Sequence, residues 1–188
     1  MKLPPLILAS ASERRAHLLR ETGLEFQVVP ANAQEDHGEH LTARELCLLN
    51  AYRKARSVAK KFPDMLVLGA DTLVSLGTQL FGKPANPVEA EGMLMELQGQ
   101  AHTVVTGVCL VHLRAHRQSL FAESSRVTFR PLTLVDVRSY LAKVNPLDKA
   151  GAYGIQQHGD MIVESVSGSF SNVVGLPMER LKARLEAW

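Results

Sequence analysis

The order of apolar runs and helical patterns along the chain constrains its fold more than any other sequence feature. Early in the chain, short apolar runs alternate with segments whose apolar residues recur at helical spacing. Later, two long strand patterns follow each other, and we expect them to pair antiparallel. The predicted strands cover residues 6–10, 26–30, 65–77, 102–113, 119–132 and 161–168. The predicted helices cover residues 13–22, 43–61, 88–97, 133–143 and 173–188.

Alternation of this kind predicts an α/β or mixed α+β protein in which helices cover a sheet. A chain of 188 residues suits one domain with a substantial core, so we expect residues 1–188 to form a single domain with two lobes. In such sheets, ligands bind where strand ends and helix N-termini converge. Two polar segments, ASERR at 11–15 and ADT at 70–72, follow or interrupt apolar strands. They are expected to face one cleft.

The composition excludes several classes of function. A net charge of +2 and an aromatic content of 5% are too low for a nucleic-acid binder. No apolar run reaches the length of a membrane span, and the first residues show a strand-and-turn pattern rather than a signal peptide. Cys47 and Cys109 lie far apart in apolar patterns, which indicates buried, reduced thiols. The chain is therefore expected to be cytoplasmic and to bind neither nucleic acid nor a membrane.

The segment that follows the first strand has the composition of an anion-binding corner. Ser10 and Ser12 offer hydroxyls, and Ser12 is placed to cap a helix whose free N–H groups attract phosphate. Arg14 and Arg15 add guanidiniums that bind phosphate through paired hydrogen bonds. Two arginines oppose the dipole at a helix N-terminus unless an anion compensates. The alternative is a capping serine followed by two solvated arginines.

Asp71 is the sharper signal, because it interrupts the apolar strand VLGADTLV. An ionised carboxylate is costly to bury unless it is paired, hydrogen-bonded or bound to a metal. We expect a partly exposed Asp71 in an open cleft, where it suits Mg²⁺ together with substrate phosphate oxygens. Such a residue also suits the orientation and deprotonation of a water molecule. The alternative is an aspartate in a structural bulge or turn.

Four further side chains carry weaker signals. Lys83, in the turn GKP, offers a point charge for phosphate, although a surface lysine in a turn is commoner. Glu35 lies in the loop segment AQEDHGEH, whose spacing does not match a zinc site and which favours a solvated loop. Lys54 lies among apolar helical positions, which predicts either an inward-reaching amine or a snorkelling lysine. Gln156, in a glycine-rich loop, has an amide suited to a base edge.

Taken together, eight motifs resemble those of the Maf family of nucleoside triphosphate pyrophosphatases, in the same order and over nearly the whole chain. The motifs are LASASERR at 8–15, AxxKA at 51–55, GADT at 69–72, GKP at 82–84, GxxH at 99–102, TGV at 106–108, DKAGAYGIQ at 148–156 and NVVGLP at 172–177. The resemblance implies hydrolysis of a nucleoside triphosphate to the monophosphate and pyrophosphate with a divalent metal, Mg²⁺ or Mn²⁺. It also implies an elongated fold with a deep cleft, related in shape to the inosine triphosphate pyrophosphatases.

The same resemblance assigns roles to individual residues. Asp71 matches the proposed catalytic aspartate and, with Glu35, is expected to hold the metal. The positions matching the substrate-binding residues are Ser10, Arg15, Lys54 and Lys83. Two departures stand out: Glu13 replaces the usual proline, and SFSN at 169–172 replaces a segment that often contains tyrosine.

Three further positions separate the subfamilies. Arg14, Thr72 and Gln156 match members that act on dTTP and UTP, whereas relatives that act on 7-methyl-GTP carry Trp, Gln and Glu there. An Arg–Thr–Gln set offers hydrogen-bond donors and acceptors to a pyrimidine, whereas tryptophan suits a methylated, cationic purine. The resemblance therefore implies dTTP and UTP as substrates.

Two alternatives stay open at this point. One is a pyrophosphatase for other or modified nucleotides, such as CTP, 7-methyl-GTP or 5-methyl-pyrimidine nucleotides. The other is a regulator of cell division that binds nucleotides without turnover; it is disfavoured because binding alone does not require a water-activating carboxylate. A homodimer through the apolar strand at 102–113 is a further expectation.

Overall fold

The computed structural model of the chain describes residues 3–36 and 40–188, which contain seven strands and six α-helices. The strands are β1 (Leu6–Leu8), β2 (Phe26–Val28), β3 (Leu66–Leu76), β4 (Gln79–Phe81), β5 (Ala101–His112), β6 (Arg117–Phe129) and β7 (Val163–Ser167). The helices are α1 (Glu13–Arg20), α2 (Ala43–Ala59), α3 (Pro87–Leu97), α4 (Leu134–Leu141), α5 (Phe170–Val174) and α6 (Met178–Glu186). None of the helices in the described ranges is both long and apolar enough to cross a bilayer.

All of these strands belong to one mixed sheet, with the order β2-β1-β3-β5-β6-β7 and with β4 paired to β3. The strands β2, β1 and β3 run parallel to one another, whereas the pairs β3–β5, β5–β6 and β6–β7 are antiparallel. Helices pack against this sheet, so the predicted mixed α/β class is confirmed. The predicted antiparallel pairing of the two long strands is also confirmed.

The strand β5 is not an edge, and the expectation of a dimer through residues 102–113 is therefore wrong. It pairs with β3 on one side and with β6 on the other along most of its length. The apolar character that suggested an exposed edge has another cause, since most of its side chains are buried. A strand in the middle of a covered sheet is apolar on both faces.

Hydrogen bonds at the helix ends explain why most predicted helix starts are accurate. Ser12 caps α1, and capping boxes formed by Thr42 and Thr133 begin α2 and α4. The prediction for the C-terminal segment was less accurate. One helix was predicted over 173–188, but the segment from Ser169 onward contains two helices. The first is α5, which begins at Phe170 after its Ser169 cap, and the second is α6, which begins after Pro177. The short strand β4 was not predicted.

Two apolar cores lie on opposite faces of the first half of the sheet, and a third lies at its other end. Leu6 and Leu68 contact α1 and α6 on one face, while Ile7 and Val67 contact α2 on the other. The third core joins α3 and α4 to the far half of β3, beginning at Val74. The polar pair at 71–72 therefore lies in β3 between the first two cores and the third.

Candidate active site

A cleft lies beside the middle of β3 and contains every side chain that the sequence marked as a candidate. One cavity of about 120 Å³ adjoins a second hollow of about 490 Å³, and the two share several lining residues. Between them they are lined by Ser10, Arg14, Arg15, Glu35, Lys54, Asp71, Thr72, Lys83 and Gln156. The arginine corner and the carboxylate of β3 therefore face one space.

Asp71 lines the cavity but is only 6% exposed, so the expectation of a partly exposed carboxylate is wrong. Two neighbours on α2 compensate for the cost of burial. The ammonium of Lys54 lies 2.7 Å from Oδ1, and the amide nitrogen of Asn50 donates to Oδ2 at 3.2 Å. A carboxylate has about four acceptor positions, so acceptor capacity remains for a ligand.

The close approach of α2 to the sheet depends on two glycines. A Cβ added at Gly69 would lie 2.5 Å from the carbonyl oxygen of Ala51, and one added at Gly107 would meet the backbone of Cys47. Gly107 is also the β5 partner of Asp71 in the sheet register. The glycines of GADT and TGV therefore bring Asn50 and Lys54 within hydrogen-bond distance of Asp71.

Lys54 joins the two carboxylates that were predicted to hold a metal. Its side chain is 13% exposed, which confirms the inward-reaching amine, and its Nζ lies 2.6 Å from Oε1 of Glu35. Both acids thus contact one cationic atom in the cleft.

The described residues contain no group of three or more His, Cys, Asp or Glu side chains suited to a metal. The segment interpreted as lacking zinc spacing includes residues 37–39, which lie outside the described residues.

A pair of carboxylates fits a magnesium-type ion whose remaining ligands are phosphate oxygens and water. Such ions retain several waters and are usually held by one or two carboxylates together with the substrate. Glu35 and Asp71 offer only oxygen donors, and their contact with a common cation shows that both face the same point. The donor set therefore fits a divalent metal whose remaining ligands come from outside the protein.

Arg15 is held by three protein acceptors. Its Nε donates to the carbonyl oxygen of Gly175 at 2.8 Å, Nη1 donates to Ser10 Oγ at 3.2 Å, and Nη2 donates to Thr72 Oγ1 at 2.9 Å. Each Nη group has a second N–H that these bonds do not use. Desolvation lowers the pKa of Arg15, and the charge of Asp71 opposes this, so the guanidinium stays cationic. The corner is thus a preorganised cation beside Asp71.

The hydroxyl of Thr72 belongs to a chain of hydrogen bonds with a defined direction. Thr106 Oγ1 donates to the backbone carbonyl of Asn172 at 3.1 Å, and it lies 2.9 Å from Thr72 Oγ1. Because the Thr106 proton is used in its bond to Asn172, Thr72 Oγ1 donates its own proton to Thr106 Oγ1. Because Arg15 donates to Thr72, the remaining capacity of this hydroxyl is that of an acceptor.

The opposite side of the cleft is formed by the recognition loop, the name used below for residues 148–157. Asp148 accepts from Arg14 at 2.6 Å and from the buried Lys149 at 2.7 Å. Burial acts to raise the pKa of Asp148, but the hydrogen bonds from Lys149 and Arg14 outweigh it and hold that pKa below its ordinary value. Arg14 is thereby anchored across the cleft to this loop.

Two candidate side chains extend into the cleft without protein partners. Lys83 and Gln156 are exposed, and within residues 3–36 and 40–188 neither forms a hydrogen bond or an ion pair from its side chain. An uncommitted ammonium suits a phosphate, and an uncommitted amide suits a base edge. Both groups are therefore available to a ligand.

Several functional contacts escaped prediction from the sequence. Asn50, Thr106 and Asp148 contact candidate site residues directly, and Lys149 holds Asp148. The motifs TGV and DKAGAYGIQ contain three of them and were the signal available for these positions. Asn50 lies in no motif, and its contact with Asp71 follows only from the packing of α2.

Comparison with known proteins gives matches over nearly the full length. A family model described as Maf-like protein matches residues 5–188. The dTTP/UTP pyrophosphatase of Akkermansia muciniphila is 43% identical and that of Gloeobacter violaceus 44%, each covering 94% of this chain and 92% of the relative. The dTTP/UTP pyrophosphatase of Pelotomaculum thermopropionicum is 41% identical over 96% of this chain and 95% of its own length. A HAM1 protein structure from Coxiella burnetii aligns with a TM-score of 0.44 and 16% identity, covering 68% of this chain and 73% of that one.

Proposed function

The chain belongs to the Maf family, and from this premise we propose that it hydrolyses dTTP and UTP to the nucleoside monophosphate and pyrophosphate. Three relatives with at least 41% identity carry the name dTTP/UTP pyrophosphatase. The observation that carries the proposal is the position of Asp71, a buried carboxylate that opens onto a cleft lined by cations. That arrangement suits water attack on a polyphosphate.

The cations match the charge of the substrate. Arg15, Lys54 and Lys83 line the cleft, and a triphosphate is a polyanion whose negative charge shifts to the leaving pyrophosphate during the reaction. Fixed cations that already point to this charge stabilise the transition state without reorganisation. Arg15 is fixed by three acceptors, whereas Lys83 is free to move with the ligand.

Asp71 is the proposed catalytic residue. Its carboxylate would orient the attacking water and accept its proton at one of the acceptor positions that Lys54 and Asn50 leave open. Glu35 and Asp71 would hold a divalent metal, Mg²⁺ or Mn²⁺. When bound, that metal would neutralise phosphate charge and polarise the phosphoryl oxygens.

Arg14, Thr72 and Gln156 are the proposed base-selecting residues. Uracil and thymine present an N–H between two carbonyl oxygens, a pattern that requires an acceptor flanked by donors. The Thr72 hydroxyl has acceptor capacity left, and the Gln156 amide offers both donors and an acceptor. Arg14, anchored by Asp148, supplies a fixed donor beside them.

We also propose a cytoplasmic location. Both cysteines are free and buried, and burial raises the pKa of the Cys47 and Cys109 thiols to about 12. Their burial agrees with the sequence prediction, and thiols with so high a pKa are unreactive at neutral pH. The proposed partner is a small nucleotide rather than a nucleic acid or a membrane. A homodimer would have to use a surface other than β5.

Pyrophosphate release from a panel of nucleotides tests this proposal. The purified chain with Mg²⁺ is assayed with UTP, dTTP, CTP, ATP, GTP, 7-methyl-GTP and 5-methyl-pyrimidine triphosphates. We expect kcat/KM for UTP and dTTP to exceed that for the other unmodified nucleotides by about 10-fold or more, which is the discrimination that a few polar contacts provide. Tight binding without turnover would indicate a regulator, and preference for another base would overturn the substrate assignment.

A further inference from the structure

We propose that Asn50 is a positioning residue that fixes the Asp71 carboxylate relative to the loop carrying Glu35. The inference deepens the proposed function and rests on it. Asn50 is 2% exposed and lines neither space of the cleft, so it does not reach a ligand directly. Its side chain instead connects the two segments that provide the metal-holding carboxylates.

Three hydrogen bonds define the orientation of the Asn50 amide. The backbone N–H of Asp36 donates to Oδ1 at 2.8 Å, and Nδ2 donates to the Asp36 carbonyl at 3.1 Å and to Asp71 Oδ2 at 3.2 Å. An N–H can only donate, and a carbonyl or an ionised carboxylate can only accept. The three partners therefore allow one orientation of the amide, with its oxygen toward the Asp36 N–H.

Asn50 and Lys54 act as a pair, four residues apart on α2. Residues at this spacing lie one turn apart on the same helix face. Lys54 bridges Glu35 to Oδ1 of Asp71, and Asn50 bridges the backbone of the next loop residue to Oδ2. Both oxygens of Asp71 are thus held from one helix, which fixes the rotation of the carboxylate.

The residue type at position 50 is best explained by this bridging role. The neighbours Cys47 and Ala51 are fully buried and apolar on the same helix, where an apolar residue would be the ordinary choice. A buried amide costs stability unless it is hydrogen-bonded, and asparagine is a weaker helix former than leucine. Its donors and acceptor are matched one for one by the loop and by Asp71.

Two substitutions remove the donation to Asp71 in different ways. Asn50→Leu removes all three hydrogen bonds with a side chain of similar length, and Asn50→Ala removes them without adding bulk or charge. The control is Arg53→Gln, because Arg53 contacts the same loop at Asp36 Oδ2 (2.9 Å) but is 41% exposed in its side chain and does not touch Asp71. Each variant is checked for folding by circular dichroism and thermal unfolding.

Two readouts separate positioning from a merely structural role. The first is kcat and KM for UTP with Mg²⁺, and the second is Mn²⁺ affinity, measured by electron paramagnetic resonance with a non-hydrolysable α,β-methylene UTP analogue. Both Asn50 variants should lose about 10–100-fold in kcat and in Mn²⁺ affinity, the range found when a partner of a metal ligand is removed. KM for UTP should change by less than about 3-fold, and Arg53→Gln should match wild type in every readout.

The outcomes distinguish this inference from the proposed function. The positioning role would be overturned, and the pyrophosphatase left intact, by folded Asn50 variants with wild-type kcat and wild-type Mn²⁺ affinity. This holds even if the only change in such variants is a lower unfolding temperature. If Asn50→Leu does not fold, the smaller Asn50→Ala decides. The proposed function alone would be overturned by two results together. The wild-type chain would release no pyrophosphate, and Mn²⁺ affinity would fall in the Asn50 variants but not in Arg53→Gln.

Discussion

The two sides of the cleft are built in opposite ways. On one side, the α2–β3 wall, comprising Asn50, Lys54 and Asp71, consists of buried or largely buried side chains on regular elements, each with at least two polar partners. On the other side, the recognition loop has little regular structure and presents the exposed Gln156 to the cleft. In the proposed function, the wall would fix the catalytic carboxylate, and the loop would present Gln156 to the base.

The recognition loop is nevertheless anchored at its base. The Tyr153 hydroxyl lies 2.8 Å from Nε2 of the buried His102, and the Gly154 N–H donates to the Tyr140 hydroxyl at 3.0 Å. Its tip at Gln156 has no such anchor within the described residues. In a loop with a fixed base and an unanchored tip, the contacts between the tip and a ligand can change without a change in the wall.

The largest effect is expected from the wall itself, in Asp71→Asn. The amide cannot accept a proton from water and weakens metal binding, so kcat for UTP should fall by about 10²-fold or more, as when one oxyanion-hole donor is lost. The measurement is pyrophosphate release, with circular dichroism to verify folding. Asp64→Asn, at a carboxylate paired with Arg114 and lining neither space of the cleft, is the matched control. Turnover of Asp71→Asn within about 3-fold of wild type would contradict the role of the wall.

The base of the loop should be sensitive to acid, because His102 is buried. Burial lowers the pKa of His102 from 6.5 to about 4, so the unfolded chain binds a proton that the folded chain excludes. The contribution of neutral His102 to the free energy of unfolding is therefore fully present above about pH 6.5. It is lost as the pH drops toward 4, and the loss is about 2 kcal/mol at pH 5. Urea unfolding at pH 7.5 and pH 5 measures the change, and His102→Gln should lack this part of it. An equal loss in wild type and His102→Gln would show that His102 is not responsible.

The packing of the wall is tested by Gly107→Ala. The added methyl group would meet the backbone of Cys47 and displace α2, at a cost of about 1–3 kcal/mol in the free energy of unfolding. Because Asn50 and Lys54 lie on α2, kcat should fall as well. Gly92→Ala in α3 is the control, since a Cβ there meets nothing within 4 Å and should stabilise the chain slightly. Equal urea midpoints for the two variants would be inconsistent with close packing at Gly107.

The smallest effect is expected at the tip of the loop, in Gln156→Glu. The carboxylate loses the amide donors but leaves the wall unchanged, so the ratio of kcat/KM for UTP to that for GTP should fall by about 10-fold. The maximal rate on UTP should stay within about 3-fold. Gln118→Glu, the same substitution on an exposed part of β6, controls for the added charge. An unchanged preference would remove Gln156 from the base-selecting set.

The same contrast between wall and loop explains what could be predicted from the sequence. Strands and capped helices follow from local patterns, and Asp71 is conspicuous because a charge in an apolar strand requires a partner. The burial of Asp71 was missed, since it depends on how closely α2 packs on Gly69 and Gly107. Asn50 was missed for the same reason, because its partners lie 14 and 21 residues away in sequence.

The recognition loop shows the complementary limit. Its glycines and Gln156 indicated a ligand-facing segment, but the ion pair between Arg14 and Asp148 spans 134 residues and leaves no local trace. The start of α5 at Phe170 was missed because a five-residue helix is too short for a periodic pattern. Contacts between distant segments therefore account for most of what sequence patterns did not reveal.

In the proposed reaction, the wall directs water to the α-phosphorus of a nucleotide whose phosphates contact Arg15, Lys54 and Lys83 and whose base contacts Gln156. Hydrolysis of UTP by the wild-type chain in water labelled with heavy oxygen, followed by mass spectrometry of both products, tests it most directly. The label is expected to enter UMP and to be absent from pyrophosphate. Label in pyrophosphate, or release of inorganic phosphate with UDP, would place the attack on another phosphorus and contradict the account.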